Sequence, residues 1–181
     1  MIDRRMKMKV EILREAGFEE ALLGISLSYN SGGDMKVVAD KLVKRGGSHS
    51  KFLESIAVWL DIEAPRYWWQ QFATYRIGTS AQSESTMHTL LDGELTEDNF
   101  SCEVHDVYLD IINAVIKAGD LAHAKGLLPE SFLQRRIVCT NYMALKRMIQ
   151  QRRHHKLIEW QIFCTQVVIQ AEHPEFLEVA K

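Results

Sequence analysis

The feature that most constrains this chain is a change of hydrophobic period with no linker in between. Over Phe52 to Ile62, the residues Ile56, Val58, Leu60 and Ile62 alternate in the manner of a half-buried β-strand. Pro65 follows, a residue suited to the first turn of a helix, and PRYWWQQFATY (Pro65 to Tyr75) continues at helical spacing with Trp68 and Phe72 four apart. A strand that feeds directly into a helix points to an α/β (α+β) fold, a mixed sheet flanked by helices.

The neighbouring segments extend the pattern. Val10, Ile12 and Leu13 mark an opening strand within Lys7 to Leu13, ended by Gly17, and Phe18 to Leu27 is helix-like. Asn30 to Gly33 is a turn. Asp34 is a good N-cap for a helix through Val37, Val38, Leu42 and Val43, which Gly46 and Gly47 stop, and Ser48 to Ser50 follow as a loop. Gly78 to Glu84, rich in Ser and Thr, reads as another loop. From Glu103, Val104, Val107, Tyr108, Ile111, Ile112, Val115 and Ile116 recur at helical spacing, with Gly119 as the C-cap. Leu127-Leu128-Pro129 breaks the chain. A short strand over Ile137 to Thr140, a helix over Tyr142 to Gln151 and a last helix from about Leu157 to Ala171, ended near Pro174, complete the expected order. With no internal repeat or low-complexity linker, residues 1–181 are expected to form one domain.

Composition narrows the class. Hydrophobic residues make up 46% of the 181 and charged ones 25%, which supports a sizeable core and excludes disordered and fibrous chains. A formal charge of -2 argues against a protein that coats nucleic acid nonspecifically. Cys102, Cys139 and Cys164 are odd in number, widely spaced and outside any Cys-x-x-Cys pair, so neither a disulfide framework nor a zinc ribbon is supported, and a reducing cytoplasm is the expected compartment. The charged start, Met1 to Lys9, and the lack of any apolar stretch near the roughly 20 residues of a membrane span predict a soluble, unsecreted chain without a membrane partner.

The sharpest local anomaly is Ser131 to Ile158, which holds Arg135, Arg136, Lys146, Arg147, Arg152, Arg153 and Lys156 without one Asp or Glu. An anion is the simplest partner; a basic face paired with acids elsewhere, such as Glu94 to Asp98, is the alternative. If Asn141 to Arg152 is helical, Asn141, Leu145, Met148 and Arg152 share one face, placing an amide and a guanidinium about 16 Å apart along a groove that suits a nucleotide. His154 and His155, adjacent and without a nearby carboxylate, do not form a metal site. His49 and His88 lie beside Ser-rich loops and could act as acid or base, although lone histidines are more often structural or exposed. Trp68, Trp69 and Trp160 suit core packing better than a planar ligand. Gly32-Gly33 and Gly46-Gly47 lack a phosphate-loop context and are turns.

The segment Ala64 to His88, APRYWWQQFATYRIGTSAQSESTMH, resembles the signature region of the flavin-dependent thymidylate synthases, the ThyX family. That family has a strand ending in Ala-Pro, a helix with Gln, then Arg-His-Arg-x-x-Ser-x-Asn-Glu-x-Ser-x-Arg-Tyr. The later order Leu128-Pro129, Asn141 in TNYMALKRM, Arg152, His155 and Trp160 agrees as well, and Ser48-His49-Ser50 with Glu54 resembles a family His-x-x-x-x-Glu-His element, so the likeness spans about Ser48 to Pro174.

The resemblance implies the rest. Gln71 falls where the family places a glutamine on deoxyuridylate (dUMP), Arg152 on the arginine that reads the pyrimidine, and Lys125 on a nucleotide-binding arginine. Ser83, Glu84 and Ser85 resemble the stretch that wraps the nucleotide phosphate, in a register ambiguous by one or two residues. Asn141 matches a flavin-contacting asparagine, with Arg76 and Arg147 near it as the remaining FAD contacts. Against the pattern, Arg-His-Arg reads Thr74-Tyr75-Arg76, Arg-Tyr reads Met87-His88, and the histidine after Glu54 is Ser55. The family's chemistry needs no protein nucleophile: reduced flavin, recharged by a reduced nicotinamide, supplies a hydride and methylene-tetrahydrofolate the carbon, while the protein binds and orients. What the resemblance implies is a homotetramer with shared sites that transfers a one-carbon (methyl) unit to a pyrimidine deoxynucleotide such as dUMP. Because most departures fall on the flavin side, a nucleotide-binding protein that sequesters or senses its ligand without redox chemistry is the alternative.

Overall fold

The computed structural model describes residues 7–29 and 33–177. The turn expected over Asn30 to Gly33 lies, apart from Gly33, outside the described residues. Strand β1 (Lys9–Ala16) leads into helices α1 (Phe18–Tyr29) and α2 (Met35–Arg45) and a 3₁₀ segment (Gly47–Ser55). Strand β2 (Ala57–Pro65) then passes into helix α3 (Arg66–Phe72), followed by strand β3 (Ser80–Ser83) and the single turn α4 (Thr86–Thr89). A short 3₁₀ turn (Glu97–Asn99) precedes α5 (Asp106–Lys117) and α6 (Leu121–Leu127). The chain ends with strand β4 (Leu133–Asn141), α7 (Tyr142–Arg152), α8 (Ile158–Gln170) and α9 (Pro174–Leu177).

The α/β class and the single sheet flanked by helices are what the structure has. The four strands lie in the order β1-β2-β4-β3. All pairs are antiparallel. Tyr142 N–H donates to the Ile56 carbonyl at 3.0 Å and Arg66 N–H to the Phe132 carbonyl at 3.1 Å, so β2 and β4 run in opposite directions. On β2, Val58, Leu60, Ile62 and Ala64 are all fully buried, as the alternation requires. Pro65, at φ -68 and ψ 155, is the N-cap rather than the first helical residue of α3, and the helix stops at Phe72, short of the expected Tyr75.

Three elements differ from expectation for identifiable reasons. β3 occupies the stretch read as a loop; all four of its residues are exposed, and it is held by backbone pairing at the sheet edge, where no apolar alternation is needed. β4 begins at Leu133 rather than Ile137 because Gln134, Arg135 and Arg136, long polar side chains, carry its first turn of pleat. Helix α6, unexpected before the Leu-Leu-Pro break, is capped by Asp120, whose carboxylate accepts from His123 N–H at 3.0 Å.

By contacts the chain divides into two compact units. Unit 1 contains Ile62–Thr74 and Gln82–Arg136 with the described part of 1–9; unit 2 contains Val10–Asp61, Tyr75–Ala81 and the stretch from Ile137 onward. The unit 1 core gathers Leu90, Leu95, Phe100, Ile112, Ile116 and Phe132. Asn113 clamps it, accepting from Leu95 N–H at 2.8 Å and donating to the Leu95 carbonyl at 2.9 Å. Of the apolar stripe on α5, Ile112 and Ile116 are buried, whereas Val107 and Ile111 remain exposed.

Unit 2 is built on Val58, Leu60, Tyr142, Leu145, Met148, Trp160 and Phe163, all essentially inaccessible. The Tyr142 hydroxyl donates to Glu15 and accepts from His173 N–H at 3.1 Å, and burial raises its pKa. Gly17, at φ +96, brings α1 so close to the Ser55 carbonyl that a Cβ would overlap it. Among the described residues no helix is long and apolar enough to cross a membrane, and no group of three or more His, Cys, Asp or Glu side chains could hold a metal ion. The three cysteines are free; burial pushes the Cys164 thiol up to about 12.

Candidate functional site

Unit 1 contains a cavity of about 380 Å³, within the range of small-molecule sites. Its charged lining comes from three elements: Arg66 at the start of α3, Lys125 near the end of α6 and Arg136 on β4. Gln70, Thr86 and Gln134 add neutral polar groups, and no carboxylate lines it. Each cation is held by a neutral oxygen. Arg66 Nη1 donates to the Leu128 carbonyl at 2.9 Å, Lys125 Nζ to Thr86 Oγ1 at 3.0 Å, and Arg136 Nη2 to Gln134 Oε1 at 3.2 Å. The Arg136 guanidinium also lies 4.4 Å from the centroid of the Trp69 ring, whose Nε1–H donates to the Gln134 carbonyl at 2.9 Å. Burial lowers the Arg136 pKa from its ordinary value. Three positive charges lining one concavity without an acid suit it to an anion.

None of the other residues expected to bind substrate in this part of the chain lines that cavity, although each lies close in sequence to residues that do. On α3 it is Gln70 that lines the cavity, its Nε2 donating to Glu130 at 2.9 Å. Gln71 is half-buried, one residue along and roughly 100° around the helix. Ser83, Glu84 and Ser85 are exposed; Glu84 N–H donates to the Arg135 carbonyl at 3.0 Å, and the Ser85 carbonyl accepts from His88 N–H at 2.9 Å. They lead directly into Thr86, the Lys125 partner.

The remaining expected residues lie in unit 2. Arg152 Nε donates to the Tyr75 hydroxyl at 2.9 Å, and that hydroxyl donates to Gln151 Oε1 at 2.9 Å. The Arg152 guanidinium sits 5.1 Å from the buried Trp160 ring, which meets Tyr75 edge to face at 5.8 Å. Asn141 caps α7, its Oδ1 accepting from Ala144 N–H at 2.9 Å. Its Nδ2 faces Gly78, at φ +70, where a Cβ would stand 2.7 Å away. Arg76 and Arg147 are exposed and have no carboxylate partner among the described residues. A guanidinium without a carboxylate partner and a free amide N–H are the donor types that a pyrophosphate-bearing group such as FAD would require.

Two sequence-based expectations need correction. The acid-free stretch is not one patch: Arg136 enters the unit 1 cavity, Lys146 is buried with its amine directed to the Val43 carbonyl at 3.5 Å, Arg152 packs on Trp160 and Arg147 faces outward. Of the acids named as an alternative partner, Asp98 pairs instead with Lys7 at 2.9 Å, which holds its carboxyl below the usual range. Nor is there a groove between Asn141 and Arg152, because Leu145 and Met148, which share that helical face, are buried in the core. Sequence reasoning missed Arg66, Gln70, Thr86 and Arg136 as cavity residues. One signal existed for the last: Gln134 and Arg136 are two apart on a strand and so share a face, while Arg135 points away.

Comparison with known proteins gives the family and the fold. The family model described as thymidylate synthase complementing protein matches residues 19–174. Among solved structures the chain is similar to thymidylate synthase X (ThyX) from Helicobacter pylori with FAD and dUMP, at a TM-score of 0.79 and 18% identity, covering 95% of this chain and 98% of that one. It is also similar to a UMP/dUMP methylase, PolB, from Streptomyces cacaoi bound with 5-Br UMP, at a TM-score of 0.70 and 14% identity, covering 91% and 88%. Comparison with curated proteins finds no match. At these identities the solved structures establish the fold, and the family match runs from α1 to the start of α9: the chain belongs to the thymidylate synthase complementing protein family, that of ThyX.

Proposed function

We propose that the chain binds a pyrimidine deoxynucleotide such as dUMP and transfers a one-carbon unit to it in a flavin-dependent reaction of the thymidylate synthase type. The observation that carries this is the unit 1 cavity, in which Lys125, Arg66 and Arg136 face no carboxylate. Lys125, with Gln71 and Ser83 to Ser85, serves the nucleotide, Arg152 its pyrimidine, and Arg76, Asn141 and Arg147 hold FAD. When bound, the reduced flavin supplies the hydride and methylene-tetrahydrofolate the carbon, and the side chains contribute binding and orientation rather than a nucleophile. The dUMP and FAD named with the Helicobacter pylori structure support both ligands. The homotetramer with shared sites belongs to the same proposal, and light scattering reading the mass of four 20.8 kDa chains checks it.

Lys125→Ala and Arg152→Ala are each expected to weaken dUMP binding by about ten- to a hundredfold, the worth of a charge-assisted hydrogen bond. Calorimetry on the intact protein measures this, and dUMP affinity equal to wild type in both variants would sink the assignment.

One observation favours the non-catalytic alternative. Thr74 and Tyr75, which stand where the family has Arg-His, are turned to internal work: the Thr74 hydroxyl donates to the Gln71 carbonyl at 2.8 Å and Tyr75 holds Arg152. FAD is therefore expected to bind weakly, through the remaining donors, and Arg147→Ala to abolish binding. Titrating FAD fluorescence against the protein separates the two. Saturation below about 100 μM supports the enzyme; its absence, corresponding to less than about 5.5 kcal/mol of affinity, together with intact dUMP binding, points to a protein that sequesters or senses the nucleotide.

A further inference from the structure

We propose that Arg136 is a phosphate-binding residue of the unit 1 cavity, the one that makes it select a phosphomonoester dianion over singly charged or neutral ligands. This rests on that cavity being the nucleotide site. The guanidinium is immobilised before any ligand arrives. Trp69, only 1% exposed, lies beneath it at 4.4 Å, and the same residue, Gln134, fixes both partners, its carbonyl accepting from Trp69 Nε1 and its Oε1 from Arg136 Nη2. Clamping a long cationic side chain removes the ordering cost that a ligand would otherwise meet. It is clamped, however, without its charge being answered. Arg136 Nε is buried and has no hydrogen-bond partner among the described residues, a condition rare for a buried donor.

The surroundings state what would answer it. Lys125 and Arg66 line the same cavity and, among the described residues, are likewise bonded only to neutral oxygens, Thr86 Oγ1 and the Leu128 carbonyl. A monoanion would leave most of this positive charge unopposed; a terminal phosphate carries about two negative charges near neutral pH and three acceptor oxygens. The planar fork of an arginine suits two of those oxygens at once, which a lysine cannot reproduce. A structural role, in which the Arg136 guanidinium merely covers the Trp69 ring, confers no selectivity among ligands.

The two roles separate in one set of titrations on the full chain. Calorimetry with dUMP, its methyl phosphodiester (singly charged) and deoxyuridine is run on wild type, Arg136→Met, which keeps an unbranched apolar cover over Trp69, and Arg136→Lys. Wild type is expected to prefer dUMP over both other ligands. Arg136→Met is expected to lose about ten- to a hundredfold in dUMP affinity with deoxyuridine binding unchanged, and Arg136→Lys to recover only part of the loss. If Arg136→Met keeps the wild-type preference for dUMP over the phosphodiester, or weakens all ligands by one factor, the assignment to Arg136 is overturned while the nucleotide site stands. Wild type that binds dUMP no better than deoxyuridine overturns the nucleotide site itself, and the role of Arg136 with it.

Discussion

Gly17→Ala is expected to cost the protein about 2 to 5 kcal/mol, while the same substitution at Gly24 is expected to leave stability unchanged or raise it by up to about 1 kcal/mol. The two glycines differ both in backbone conformation and in what surrounds them. Gly17 holds φ at +96, a region costing an L-residue about 1–2 kcal/mol, and its missing Cβ is what lets the Ser55 carbonyl approach. The obstacle is backbone, so no rotamer change relieves it, and α1 and the segment before β2 would have to separate. Gly24 is exposed on α1 with nothing within 4 Å of a Cβ, and there alanine restores helix propensity. Urea denaturation of both variants measures the contrast. Equal midpoints for Gly17→Ala and wild type would show that the close approach is not maintained.

Trp160→Ala carries the other large effect, a loss of about 3 to 5 kcal/mol. The side chain is fully buried, with edge-to-face contacts to Phe163 and Tyr75 at 5.8 Å each, and its removal leaves a cavity that neighbouring rings cannot fill. It also removes the surface on which Arg152 lies. Trp160→Phe, which keeps an aromatic face, is expected to lose less than half as much. Denaturation midpoints for the pair test the ranking, and a Phe variant as unstable as the Ala variant would mean that ring size, not aromatic contact, sets the cost.

How far the sequence could lead is clearest at particular residues. The junction from β2 to α3 was legible because burial imposes period two on Val58, Leu60 and Ile62 and Pro65 then admits only a helix start or a turn. Trp68, Trp69 and Trp160 were correctly expected in the core, since all three are buried. β3 was illegible for the converse reason: an exposed edge strand needs no apolar alternation, so Ser80–Ser83 looks like any polar loop. The cavity was half legible. Lys125 carried a family resemblance, whereas Arg66, Gln70 and Arg136 acquire meaning only when a helix start, a helix end and a strand face converge, and nothing in local spacing marks that convergence. Adjacent residues add a further ambiguity, because Gln70 and Gln71 are chemically identical and only the helical rotation distinguishes them.

The order β1-β2-β4-β3 fixes a schedule for the newborn chain. β3 borders only β4, and β2 finds its second neighbour there too, yet β4 begins at Leu133, after everything from Arg66 to Phe132 has been made. During synthesis the alternating apolar face of β2 must therefore wait with one edge open, and the residues between the two central strands form a long loop that closes in a single late event. Such non-local pairing slows folding and leaves an unpaired strand edge available to other chains in the meantime. The half of the sheet that carries Arg136 can thus come into being only after Phe132 has been made.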